Sequence, residues 1–248
     1  MKIFLLILIS LMVFPFLGLN GQSIAGNISI NVNDGNAEVT AMGGVSRVSV
    51  NEGCVDGSGK RKVEQRRVSS FNKIDIDGVF DVKIELRKKQ GVEIIGDDNI
   101  LPHIVTKVSG DTLVITSSKS ICPKLSLQVN ISQENIEKLD ADGSNDINIS
   151  GVKNKNLALN LNGATDLRAS GSTGEFTAKI SGAGSLRARN LHAENAVISV
   201  VGSGDAEVYA SGKLNASIDG AGDISYFGSP KEISRRVTGV GDIEAGDE

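Results

Sequence analysis

From about residue 137 onward, apolar and polar residues alternate with a period of two, and glycine interrupts the alternation at nearly even intervals. Gly143, Gly163, Gly182, Gly202, Gly220 and Gly239 are spaced by 20, 19, 20, 18 and 19 residues. Two positions before each glycine stand Ala141, Leu161, Ile180, Val200, Ile218 and Val237. Four before stand Leu139, Leu159, Ala178, Ile198 and Ala216, with Arg235 as the exception. Three after stand Asp146, Asp166, Ser185, Asp205, Asp223 and Asp242. The apolar frame then resumes four after (Ile147, Leu167, Leu186, Ala206, Ile224, Ile243) and six after (Ile149, Ala169, Ala188, Val208, Tyr226, Ala245). Alternation on both sides of a glycine-rich corner predicts strand, turn, strand. Beyond the first two dozen residues, no stretch has the 3.6-residue period of a helix.

A fixed period of 18–20 residues is the mark of a stacked architecture. One coil has too few apolar side chains to offset the ordering of its own backbone, so coils must share a core with their neighbours. The predicted fold is all-β, a parallel β-solenoid with coils of that length. The corner glycines supply positive φ without a Cβ clash, which makes the repeated Gly-x-Gly architectural.

The first half carries a looser copy. "FNKIDIDGVFDVKIEL" repeats the grammar around Gly78, and "VEIIGDDNILPHI" predicts a further coil around Gly96. From Leu101 to Asn130 strand alternation persists but the spacing is lost. Residues 24–67 are rich in Gly and Asn and predict an extension with short strands, suited to capping one open end of the stack. The predicted organisation is a leader over 1–23, this extension, and a solenoid over 68–248 with its clearest repeats at 137–248.

The leader is "MKIFLLILISLMVFPFLGLNGQS": Lys2, an apolar run from Ile3 to Leu19, then small residues at Gly21, Ser23 and Ala25. That anatomy predicts a secretory signal peptide. Ser10, Pro15 and Gly18 interrupt a run already short for a bilayer, so no membrane span is expected after cleavage. The first cysteine is Cys54, too far on for a lipidated N-terminus. Cys54 and Cys122 are the only cysteines. In an oxidising compartment they admit a bridge worth about 4 kcal/mol on the chain-entropy model, or else two unrelated buried thiols. With His103 and His192 they offer no metal-ligand spacing.

The formal net charge is −4, and the only basic cluster, "KRKVEQRR" (60–67), has no aromatic residues interleaved. This composition speaks against nucleic acid as a partner.

"VSSFNKIDIDGVFDVKI", "GDTLVI" and the serial GSGD/GAGD corners together resemble the DUF2807 family, named "putative auto-transporter adhesin, head GIN domain". The resemblance covers about residues 68–248. It implies a right-handed β-solenoid in an exported protein of Bacteroidota-type bacteria, and through the family's name it implies adhesion. It supplies no catalytic residues. No membrane barrel follows the last repeat before Glu248, so the likeness is to a passenger region.

The aspartates are the first candidates for chemistry. Equivalent positions in a solenoid stack about 4.8 Å apart, so Asp205, Asp223 and Asp242 would form a carboxylate ladder. Neighbouring charges there repel, and Ca²⁺ would relieve them with oxygen ligands it favours. The plainer reading is that each carboxylate accepts backbone N–H groups and faces solvent. An enzyme acting on polysaccharide needs paired carboxylates in a groove and aromatic platforms. Here the carboxylates are periodic. Phe80, Phe176, Tyr209, Tyr226 and Phe227 lie at or beside inward positions, which predicts core. There is no G-x-S-x-G elbow, "GSGK" (57–60) lacks P-loop spacing, and Gly-x-Gly never completes a dinucleotide fingerprint. His192, in "NLHAEN", reads as a lone corner histidine. The outward frame mixes Asn148, Arg168, Arg187, Glu207 and Glu244 with no stripe of one sign.

The expected function is therefore non-catalytic: an exported envelope or surface scaffold of adhesin type, without cofactor, offering flat faces to an extended glycan or protein. A structural or stress-related periplasmic role is the alternative, and a polysaccharide-active enzyme stands third.

Overall fold

The structure, a computed structural model, describes residues 29–33, 36–41, 44–49 and 53–247. The leader predicted over 1–23 lies outside them. The chain divides into two compact units, Met1–Gly53 and Cys54–Glu248. In the first, β1 (Ser29–Asn33), β2 (Asn36–Ala41) and β3 (Gly44–Ser49) form an antiparallel meander in the order β1-β2-β3.

The second unit is a parallel β-solenoid of about five turns. Its strands are β4 (Val55–Asp56), β5 (Arg61–Gln65), β6 (Lys73–Gly78), β7 (Asp81–Leu86), β8 (Gly91–Asp97), β9 (Ile104–Ser109), β10 (Thr112–Ser117), β11 (Ile121–Cys122), β12 (Gln128–Gln133) and β13 (Lys138–Gly143). There follow the long strands β14 (Asp146–Gly163), β15 (Asp166–Gly182), β16 (Ser185–Gly202) and β17 (Asp205–Ala221), then β18 (Ile224–Phe227), β19 (Glu232–Val240) and β20 (Ile243–Ala245). A single 3-10 turn spans Leu101–His103.

The apolar frame becomes columns running the length of the stack. One column reads Ile74, Leu139, Leu159, Ala178, Ile198, Ala216; another reads Ile76, Ala141, Leu161, Ile180, Val200, Ile218. All twelve side chains are buried. Large and small residues alternate where space demands it: Phe176, the largest fully buried side chain, sits in register with Ala196 of the next coil. Such interdigitation brings the interior to close-packed density.

The corner glycines also stack in register, from Gly78 through Gly239. Gly163 has φ 90° and Gly220 φ 139°, a region closed to most L-residues. Both glycines of the corner also answer a stacking need: an added Cβ at Gly163 would lie 2.4 Å from the carbonyl oxygen of Gly143, and second-position Gly241 shares the positive φ, at 138°. At Gly204, whose φ is ordinary, an added Cβ would lie 2.6 Å from the carbonyl oxygen of Gly184 one coil earlier. Gly-x-Gly thus combines a turn requirement with a stacking requirement.

Two expectations for the first half need correction. No coil forms around Gly96: β8 runs antiparallel to both β12 and β5. The reason lies one residue on. Asp97 is fully buried and accepts backbone N–H groups from Gly59, Lys124 and Leu125, so the segment anchors loops instead of turning a corner. The predicted boundary at residue 67 also moves. Residues 54–65 belong to the solenoid unit, because β5 pairs with β8, β4 pairs with β11, and Cys54 is disulfide-bonded to Cys122 with Cα atoms 5.5 Å apart.

Chain order and stacking order differ at this end. β10 joins β6 and β12 joins β7, both in parallel, on the side of that coil opposite β13 and β14. β9 then closes on β10 in antiparallel fashion.

Candidate functional site

At the corners, Asp205 and Asp223 have hydrogen-bond partners in the backbone. Asp205 accepts the N–H of Asp223 at 3.0 Å, and Asp223 accepts the N–H of Asp242 at 2.9 Å. Asp166 accepts the N–H of Ser185 at 3.1 Å in the same way, while Asp146 pairs with Arg168 at 3.0 Å. Each exposed carboxylate therefore ties one coil to the next, and the aligned dipoles offset the repulsion along the column. Among the described residues, one group of three potential metal ligands has its donor atoms within 4.8 Å of one another: Cys54, Asp56 and Cys122. Its two sulfurs are bonded to each other, so it offers no thiolate.

A second acidic group forms near the first coil. Asp75 stands in register with Asp140, and Asp77 with Asp142, on adjacent strands. Partial burial pushes the Asp75 carboxyl up, helped by Asp140, Asp142 and Asp77, while Lys138 pulls it back. Asn160 and Asn162 of the next coil donate to Asp140 and Asp142 at 2.6 and 2.8 Å. Asparagine follows aspartate along the column, a sequence detail that limits the build-up of charge.

The clearest departure from repetition lies on the third side of the coils. The spacing from Gly182 to Gly202 is 20 residues and the next is 18. In the pairing of β16 with β17, Ala188 faces Val208 but His192 faces Tyr209, so Arg189, Asn190 and Leu191 bulge from the ladder. One residue is returned between Ala193 and Asn195, which accounts for the net difference of two. Bulges of this kind re-aim side chains.

The bulge assembles a groove. His192, Tyr209 and Phe227 are successive rungs of one outward column. The His192 and Tyr209 rings meet edge to face, with centroids 4.5 Å apart and planes at 71°. Arg189 reaches across the intervening coil and places its guanidinium carbon 4.1 Å from the centre of the Phe227 ring. Asn190, Ser211 and Ser229 complete a shallow hollow of about 450 Å³. Two residues expected in the core, Tyr209 and Phe227, are thus half-buried in a surface groove, whereas Phe80, Phe176 and Tyr226 are buried as expected. His192 is exposed but not alone. The sequence signal for this site was the uneven coil length, read beside an aromatic pair 18 residues apart.

The family model described as "Putative auto-transporter adhesin, head GIN domain", DUF2807, matches residues 70–230. The chain belongs to this family. As a DUF2807 protein it is similar to a solved "putative adhesin" from Bacteroides fragilis, at 25% identity and a TM-score of 0.63, over 77% of this chain and 100% of that one. A "putative adhesin" from Parabacteroides distasonis aligns at 21% identity and TM-score 0.54, over 78% of this chain and 100% of the other. A "putative lipid binding protein" from the same species aligns at 21% and 0.50, over 79% and 100%. At those identities the two Parabacteroides structures show a shared fold. No curated protein matches the chain. Among the described residues, no helix is long and apolar enough to cross a membrane.

Proposed function

We propose that this DUF2807 protein is an exported, non-catalytic adhesin-type scaffold whose solenoid presents a binding groove at the cell surface. The observation behind this reading is the groove at the β16 bulge. On a neighbouring face the outward residues form a ladder of mixed charge, Asn148, Arg168, Arg187 and Glu207 in successive coils. The register shifts in the β14–β15 and β15–β16 pairings are smaller than the three-residue bulge of β16 against β17. At the groove this bulge gathers a cation, an imidazole and, among the described residues, two aromatic rings that stand outside the core. Recognition sites commonly take this form, a few placed polar groups beside aromatic surface. The family description and the Bacteroides relative support adhesion as the role.

Protease accessibility on intact and permeabilised cells tests the proposal, with an antibody against the repeats as the readout. Degradation on intact cells is the expected result. Protection until the envelope is opened would place the chain in the periplasm and sink adhesion in favour of a structural envelope role.

A further inference from the structure

Building on that adhesin reading, we infer that the groove at the β16 bulge binds an acidic sugar, a pyranose ring bearing a carboxylate. The Arg189 guanidinium carbon lies 4.1 Å from the centre of the Phe227 ring, a cation–π contact that restrains the planar head group beside the groove. A fork held in a plane suits bidentate recognition of a carboxylate. Arg189 makes no ion pair with any carboxylate among the described residues. No Asp or Glu lines the groove either, although the chain as a whole is acidic and the adjoining hollow carries Asp205, Glu207 and Asp223.

The remaining walls choose among anions. Asn190, Ser211, Ser229 and the Tyr209 hydroxyl are neutral hydrogen-bonding groups, matched to the hydroxyls of a sugar. An acyl chain would leave them unpaired in its contact, which is costly. A phosphate dianion would find one arginine and no lysine there, where a single carboxylate finds a full partner. The Tyr209 ring supplies apolar surface of the kind that sugar C–H faces cover.

The test titrates the full chain with a short oligogalacturonide, with its uncharged methyl ester and with inorganic phosphate. Calorimetry gives affinity, and the His192 imidazole signals in NMR report the place. The oligogalacturonide is expected to bind and shift His192, and the ester to bind about tenfold more weakly. Arg189→Lys keeps the charge but loses the planar fork, and should cost about tenfold as well. Arg168→Ala, away from the groove, should change nothing. Equal affinity for the ester overturns the carboxylate assignment, and phosphate binding of equal strength overturns the sugar. Binding that leaves His192 unmoved overturns the site. Full surface accessibility combined with no oligogalacturonide binding defeats this inference alone, whereas protection on intact cells defeats the adhesin reading independently of the titrations.

Discussion

The two ends of the solenoid meet the same physical problem and solve it differently. A stack of parallel coils leaves an apolar cross-section and unpaired strand edges at each end. At the N-terminal end, chain from outside the repeat covers both: antiparallel β5, β8 and β9, the Leu101–His103 turn and the Cys54–Cys122 bridge. Asp97 ties the loops of that cap together, with Asn99 holding the backbone of Asp56 and Ser58. At the C-terminal end, among the described residues, nothing pairs beyond β19 and β20. Ile233, Val237 and Val240 stand 41%, 43% and 76% exposed there, although Ile233 and Val237 continue core columns. Arg235 continues another of those columns, and folds its guanidinium back onto the Tyr226 ring and the Ile243 carbonyl. Among the described residues, one end is covered by added structure, and the other carries Arg235 within a core column. A solenoid is held by neighbour-to-neighbour contacts, so each end can be tuned with little effect on the far one.

The bridge should show this most strongly. Replacing Cys54 and Cys122 by serine frees a 68-residue separation and should lower stability by about 4 kcal/mol. For a unit of this size that is a fall in Tm of about 10 °C. An unchanged melting curve under reductant would mean that β5, β8 and Asp97 close the end unaided.

A smaller effect separates two aspartates by the sign of their pH dependence. Burial pushes the Asp97 carboxyl up, but N–H groups of Leu125, Gly59 and Lys124, with the Lys124 charge, outweigh it and hold its pKa below the ordinary value. Its contribution is present above about pH 4 and lost as pH falls through the lowered pKa. Asp75 has a raised pKa, so its ionised form disfavours the fold and its penalty fades on acidification. Denaturant unfolding across pH should find Asp97→Asn destabilised at neutral pH with a shallower acid loss. Asp75→Asn should be stabilised at neutral pH and equal to the parent in acid. The same direction for both variants at neutral pH would contradict these assignments.

The smallest change in stability is expected at β19, where Arg235→Leu should shift Tm little. It should nonetheless promote end-to-end association, seen as concentration-dependent mass in light scattering. A strictly monomeric variant would show that Arg235 is not what keeps the edge apart.

Much of this architecture was legible in the residues. The columns Leu139–Leu159–Ala178 and Ala141–Leu161–Ile180 follow from alternation plus the glycine spacing, because in-register parallel stacking places equal positions above one another. The cap was not legible. The segment around Gly96 has the same glycine and the same alternation as a coil, and strand direction leaves no trace in a period of two. Tyr209 and Phe227 were misplaced for a related reason. They stand one residue beyond an inward position at the end of the frame, where the register slips and alternation no longer says which face a side chain takes.

By itself the sequence determined the repeated coil, the glycine corners and the composition of the core, since these depend on local φ preferences and on period. It also held the two thiols and the uneven coil lengths, without saying what they would do. Tertiary structure alone decided that β10 and β12 stack outside their chain order, that β8 runs antiparallel, and that Arg189 crosses a coil to reach Phe227. Those outcomes depend on which distant segments share an edge, and pairing energies between distant strands are not written into any local pattern.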